Sequence, residues 1–217
     1  MKLIVIRRQS DLENIKNIEE DIILLFLANN IKLNGEFIPI NKENSDIIIL
    51  GNGFTIEGLY INREDENYNG IFSKVRNLNV RDLNVLNANI KSGEVCGVLA
   101  GDVEENLKAR NISINANISA DSIVGGLVGN AKNSNIKSCN ISGQFTSRGI
   151  MGGLVGMSHT FEGDNNEIYN FEFIISSSYP KNTIYNDVGY LTSREEEELI
   201  MKLRPLMDDD KKSNYYF

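Results

Sequence analysis

The sequence predicts an all-β protein, a parallel β-helix whose coils take about 28 residues each, with short helical elements near both termini. Three observations carry this expectation. The block Val124-Gly125-Gly126-Leu127-Val128-Gly129 returns almost verbatim as Met151-Gly152-Gly153-Leu154-Val155-Gly156, and in degraded form as Cys96-Gly97-Val98-Leu99-Ala100-Gly101 and around Ile71. Its central apolar residues, Ile71, Leu99, Leu127 and Leu154, lie 28, 28 and 27 residues apart. Between the blocks run short apolar segments broken by Asn and Gly, a pattern of strands and turns.

Taken in order, residues 1–21 read as a terminal cap. Residues 2–6 form a strand, and Ser10-Asp11-Leu12-Glu13 has the Ser-x-x-Glu form of a capping box. A helix is expected from there through Ile15, Ile18 and Glu20, closing an end that would otherwise expose apolar interior and strand edges. Residues 22–178 form the β-helix. Its first strands are expected at 22–27, 31–33, 37–40, 47–50, 54–56 and 59–61, with Asn34-Gly35 and Gly51-Asn52-Gly53 supplying turns.

In the repeats, five residues separate paired apolar anchors: Leu78 and Leu83, Leu107 and Ile112, Ile136 and Ile141. Asn77, Asn106, Asn135 and Asn166 precede the first anchor and are expected to stack as a ladder. The glycines beside Leu127 let the backbone bend and approach the next coil. Residues 159–164 read as an insertion loop in a distorted last coil. Residues 179–217 form a separate end: Ser193-Arg194-Glu195-Glu196 is a second capping box, and Leu199, Ile200, Leu203 and Leu206 make an apolar stripe. Pro205 and the acidic run Asp208, Asp209 and Asp210 end it, ahead of an aromatic tail.

The Gly-Gly-Leu-Val-Gly blocks resemble the GLUG motif of bacterial surface proteins and of the amino-terminal region of IgA-protease-like polypeptides. The segments 30–40 and 51–61 are similar to an opening coil common in such proteins. The resemblance spans residues 10–176. It implies a right-handed parallel β-helix and a modular, non-catalytic role in display or adhesion. The chain departs from that pattern in having no leader, wall anchor or HExxH zinc motif, which favours a cytoplasmic location over the cell surface.

Composition narrows the function. With 22 basic and 30 acidic residues the formal charge is −8, against a primary role in gripping nucleic-acid phosphates. No apolar run approaches a membrane span or a signal-peptide core. Cys96 and Cys139 lack any metal-like spacing and read as buried thiols, while the sequons at Asn111, Asn117 and Asn140 read as turn punctuation. The single histidine, His159, offers no triad, the glycine blocks lack the Lys-Ser/Thr of a phosphate loop, and no cofactor or metal is expected. A polysaccharide-active enzyme would have to draw on Arg63, Glu64, Asp65 and Glu66, or on Asp102, Glu104 and Glu105.

The leading expectation is a non-enzymatic protein-binding solenoid: an intracellular inhibitor, an immunity protein or a phage-type antagonist. Mimicry of nucleic acid by an acidic surface is one form of that role. A surface-display module is the main alternative, and homo-oligomerisation is left open. Partner-facing residues are expected on protrusions: Arg63, Glu64, Asp65 and Glu66; His159, Phe161 and Asp164; and Glu195, Glu196, Glu197, Glu198, Asp208, Asp209 and Asp210.

Overall fold

A computed structural model of the chain describes residues 1–175, 184–185 and 187–191. The chain winds into a parallel β-solenoid of about five turns, with about 27 residues per turn. Every strand pairing among the described residues is parallel, as expected when each coil repeats the path of the one before it. The main sheet runs in chain order through Lys2–Ile6, Ile22–Leu27, Ile40–Leu50, Phe72–Ser92, Ala100–Ala120, Val128–Lys137, Val155–Asp164 and Val188–Leu191. A narrow second sheet is built from short strands that include Val95–Gly97, Ile123–Gly125 and Ile150–Gly152.

The main sheet turns a corner within each repeat. Asp82, Asn111, Ser138 and Asn165 sit there with φ of 55°, 54°, 54° and 51°. Asp and Asn tolerate this left-handed region better than most residues, which explains Asn111 at its sequon. The corner divides the sheet into a first wall, ending at Arg81 and its counterparts, and a second wall beginning at Leu83 and its counterparts. Alternate side chains point inward. Leu99, Leu127 and Leu154 stack in the interior, with the Leu99 amide donating to the Leu127 carbonyl and the Leu127 amide to that of Leu154, each at 2.8 Å. On the second wall Ile90, Ile118 and Phe145 stack likewise. Full burial of one such side chain stabilises the fold by roughly 1.5–3 kcal/mol.

The helical cap is shorter than its sequence signature suggested. The α-helix covers only Gln9–Glu13, a 3₁₀ turn follows over Asn14–Asn17, and Ile18 is extended. The helix starts before Ser10, with Arg8 as its N-cap, and Asp11 closes the capping box, accepting the amides of Arg7 at 2.9 Å and Arg8 at 3.2 Å. A carboxylate is the stronger acceptor, and the Arg7 amide above all holds the Asp11 carboxyl below its ordinary value. Leu12 and Ile15 are buried over the first coil. Residues 36–39 are not a strand, although Phe37 is buried within the core.

Two register expectations are corrected. Leu107 pairs beside Leu78 and Ile112 beside Leu83, but Ile136 lies beside Ala109 and Ile141 beside Ile114. The strand Ala100–Ala120 carries an extra residue between Val103 and Asn106 that the next coil lacks. The true counterpart of Ile168 is Ile141, so no insertion precedes Ile168, and the one irregularity of this pairing lies after it, where Gly143 faces Phe171. Residues 159–164 continue the strand Val155–Asp164, in register with the preceding coil up to Lys137 and Asp164. The expected helix after Ser193 and the acidic runs at 195–198 and 208–210 lie outside the described residues.

The same shift re-forms the polar ladder. Asn77 and Asn106 belong to it, but its third and fourth rungs are Asn133 and Thr160 in place of Asn135 and Asn166. The Asn106 amide nitrogen donates to Asn77 Oδ1 at 2.9 Å, Asn133 donates to Asn106 at 3.4 Å, and the Thr160 hydroxyl to Asn133 at 2.8 Å. Asn166 instead bridges coils, accepting the Cys139 amide at 3.0 Å and donating to the Ile136 carbonyl at 2.9 Å.

Asp46 begins the ladder. Its Oδ1 accepts Arg76 Nε at 2.7 Å and Asn77 Nδ2 at 2.8 Å, and the Arg76 hydrogen bond above all holds its carboxyl below the ordinary value of 3.8. A depressed carboxyl stabilises the fold above its unfolded pKa, and that contribution is lost as the pH falls through the folded value. Asp46→Asn is expected to melt below the wild type at pH 7. The gap should close as the pH drops from about 4 through the depressed folded value of Asp46, and thermal melts across pH 2–7 would show whether it does.

Both cysteines are free and buried. Burial raises the Cys96 thiol far above its ordinary value and pushes Cys139 up to about 11. Neither thiol is expected to react with an aromatic disulfide reagent at pH 8 in the native state, while both react in denaturant. Rapid native labelling at either position would contradict this packing.

Candidate functional site

The protrusion at Arg63, Glu64, Asp65 and Glu66 is present, and it is tied down from inside. Arg63 pairs with Glu66 and, at 3.5 Å, with Glu36, while Lys91 lies 3.7 Å from Glu64. The fully buried Asn69 donates to the carbonyls of Arg63 and Glu66 at 3.2 and 3.0 Å and to Ser92 Oγ at 2.9 Å. An open hollow of about 450 Å³ lies beside this turn, and Lys74 sits over the Tyr68 ring at 4.3 Å. Arg63, Glu64 and Glu66 are thus each held in an ion pair, which leaves the turn ordered and acidic.

The structure does not bring the other expected residues to that turn. His159, Phe161 and Asp164 lie on the strand Val155–Asp164, several coils away. Phe161 is half-buried against the core, in the column of Leu107 and Ser134, and Asp164 points outward beside Lys137. Asp102 accepts Asn130 at 2.9 Å, and Glu105 pairs with Lys132 at 3.1 Å. Among the described residues no group of His, Cys, Asp or Glu is arranged to hold a metal ion, and no helix is long and apolar enough to cross a membrane.

A more organised surface lies on the outside of the first wall. Strand alternation sets two outward columns side by side, each seven rungs long. One runs Leu3, Leu24, Ile48, Asn79, Lys108, Asn135 and Glu162. The other runs Val5, Phe26, Leu50, Arg81, Arg110, Lys137 and Asp164. Three apolar rungs are followed by three cationic or amide rungs, then by one acidic rung. Parallel strands repeat about every 4.8 Å, so the columns extend roughly 29 Å along the solenoid.

Leu3 and Phe26 are 56% and 39% exposed, where an inward position would have buried them. Around the cationic rungs the surface dips into a depression of about 270 Å³ lined by Arg81, Lys108, Arg110 and Lys137 with Asn79 and Asn135. None of these four cations forms an ion pair among the described residues. Like charges stacked in register repel one another and destabilise a sheet. Such a column suits an anion supplied from outside, and its guanidinium groups can grip carboxylates in bidentate fashion.

Sequence reasoning missed this surface because it looked for protrusions and used the net charge of the whole chain. A signal was nonetheless present. Arg81, Arg110 and Lys137 each stand directly before a corner residue, namely Asp82, Asn111 and Ser138. Only the correct register aligns them. Searches among protein-family models, curated proteins and solved structures find no match to the chain.

Proposed function

We propose that this chain is a non-enzymatic binding protein in which the solenoid is a rigid support and the outer face of the first wall meets a protein partner. The observation that carries the reading is the pair of in-register columns, where apolar and cationic side chains share one surface. An apolar surface next to cations that form no ion pair among the described residues is costly for an isolated molecule and useful for recognition. An antagonist or immunity-type role inside a cell follows as the leading setting. The GLUG-like glycine blocks support a second setting, display on a bacterial surface, with the same face engaged.

Acidic mimicry of nucleic acid is the weaker form of this proposal. Among the described residues no outward column of the paired strands carries carboxylates on successive coils. The testing experiment is capture with the intact, tagged chain from an extract of its native host, followed by cross-linking and mass spectrometry. One protein retained in stoichiometric amount is the expected result. Turnover of a polysaccharide in a parallel glycan screen, with no protein retained, would replace the binding reading with an enzymatic one.

A further inference from the structure

We infer that the two outer columns of the first wall form a docking track for a protein segment with an apolar end and an acidic middle. This rests on the reading that the chain binds a protein, and it adds the chemistry and the direction of what is bound. The order of the track fixes the order of the ligand. Phe26 and Leu50, with their neighbours Leu24 and Ile48, require apolar or aromatic side chains at the end nearest the amino-terminal coil. Arg81, Arg110 and Lys137, flanked by Lys108, require carboxylates in the middle. Glu162 and Asp164 disfavour a further acid at the far end and favour a cation there. A track of roughly 29 Å accommodates about 9 residues of extended chain or about 19 of helix.

Charge and polarity disfavour two other occupants of the whole track. A second copy of this chain set antiparallel across the whole track would place acidic rungs on apolar ones. Shifted until Asp164 meets Arg81, it would bring Arg110 against Lys137. A nucleic-acid backbone gains nothing from the apolar rungs and is repelled by the acidic one, and four cations make a short electrostatic footprint. Carboxylates beside an aromatic anchor satisfy all three zones together.

The test is selection of a displayed library of random 16-residue peptides on the intact protein. Enriched peptides are expected to carry two or more Asp or Glu next to Phe, Leu or Trp. Their affinity should fall at least tenfold on Arg110→Glu and on Phe26→Asp, and should be largely kept on Arg110→Lys. Leu3→Asp serves as a second apolar-end variant should Phe26→Asp lower the melting temperature. Enriched peptides without acids, binding indifferent to these substitutions, or no enrichment at all would overturn the proposal. So would binding of heparin, an RNA oligonucleotide or phosphatidylserine vesicles at this face in place of peptides. If a host protein is captured equally by wild type, Arg110→Glu and Phe26→Asp, partner binding stands and the assignment to this face falls. If no host protein is captured and no peptide is enriched, both fall.

Discussion

Gly125→Ala is expected to destabilise the protein by about 3 kcal/mol or more, enough to leave little folded material. A Cβ at this position would overlap the carbonyl oxygen of Val128 and the amide nitrogen of Gly156. Both are backbone atoms of strands locked into the sheet, so neither can rotate away as a side chain would. The same collision recurs one coil later, where a Cβ on Gly152 would overlap the Val155 carbonyl and the Gly189 amide. Here the narrow sheet ends and the chain turns into the next first-wall strand, so two backbones must approach without a side chain between them. Gly35→Ala is the control: its φ is +76°, but nothing lies within 4 Å of the added Cβ. That change should cost only about 1–2 kcal/mol of backbone strain. Urea unfolding of the two variants distinguishes close approach from φ alone. Equal losses would mean that the seam is not tight.

Phe145→Ala is expected to cost about 3–5 kcal/mol. The ring is fully buried in the column below Ile118, and a Cβ on Gly126 would stand 3.1 Å from its Cζ. In the preceding coil the corresponding pair is Val98 and Ile118. A Cβ on Gly126 is excluded first by the Gly153 carbonyl and then by Ile141, and the Phe145 ring packs against the same spot, so truncating the ring leaves a void in a close-packed interior. In a solenoid each coil contacts only its neighbours, so the damage should be local. Hydrogen exchange should lose protection first in strands from Val128–Lys137 onward, with Ile22–Leu27 and Ile40–Leu50 still protected. Uniform loss along the chain would show that the solenoid unfolds as one unit.

The solenoid was legible because its period is written in residues that have little freedom. Leu99, Leu127 and Leu154 stack as their spacing implies, and the glycines beside them are demanded by backbone contact. The in-coil register was harder to read. Asn135 is as plausible a third rung as Asn133, since both point outward and both are asparagine. One extra residue between Val103 and Asn106, unmarked by glycine or proline, decides between them. The supposed loop at 159–164 arose from the same slip, because comparison with Ile136 makes a coil of ordinary length look long. The cap was misjudged for a different reason. Ser10 matches a capping pattern, yet the neighbouring Asp11 offers a charged acceptor in the right place.

The functional surface divides along the same line. The sequence by itself determined an all-β solenoid, its inward apolar seam, the glycine turns and the burial of both thiols, because these follow from local chemistry repeated at a fixed period. Only the tertiary structure decided that Val5, Phe26, Leu50, Arg81, Arg110, Lys137 and Asp164 form one column. Those residues are separated by unequal intervals, from 21 to 31 positions, because coils differ in their bulges and turns. Stacking removes that irregularity: hydrogen bonding between coils fixes each rung to the next at the strand spacing, whatever length of turn lies between.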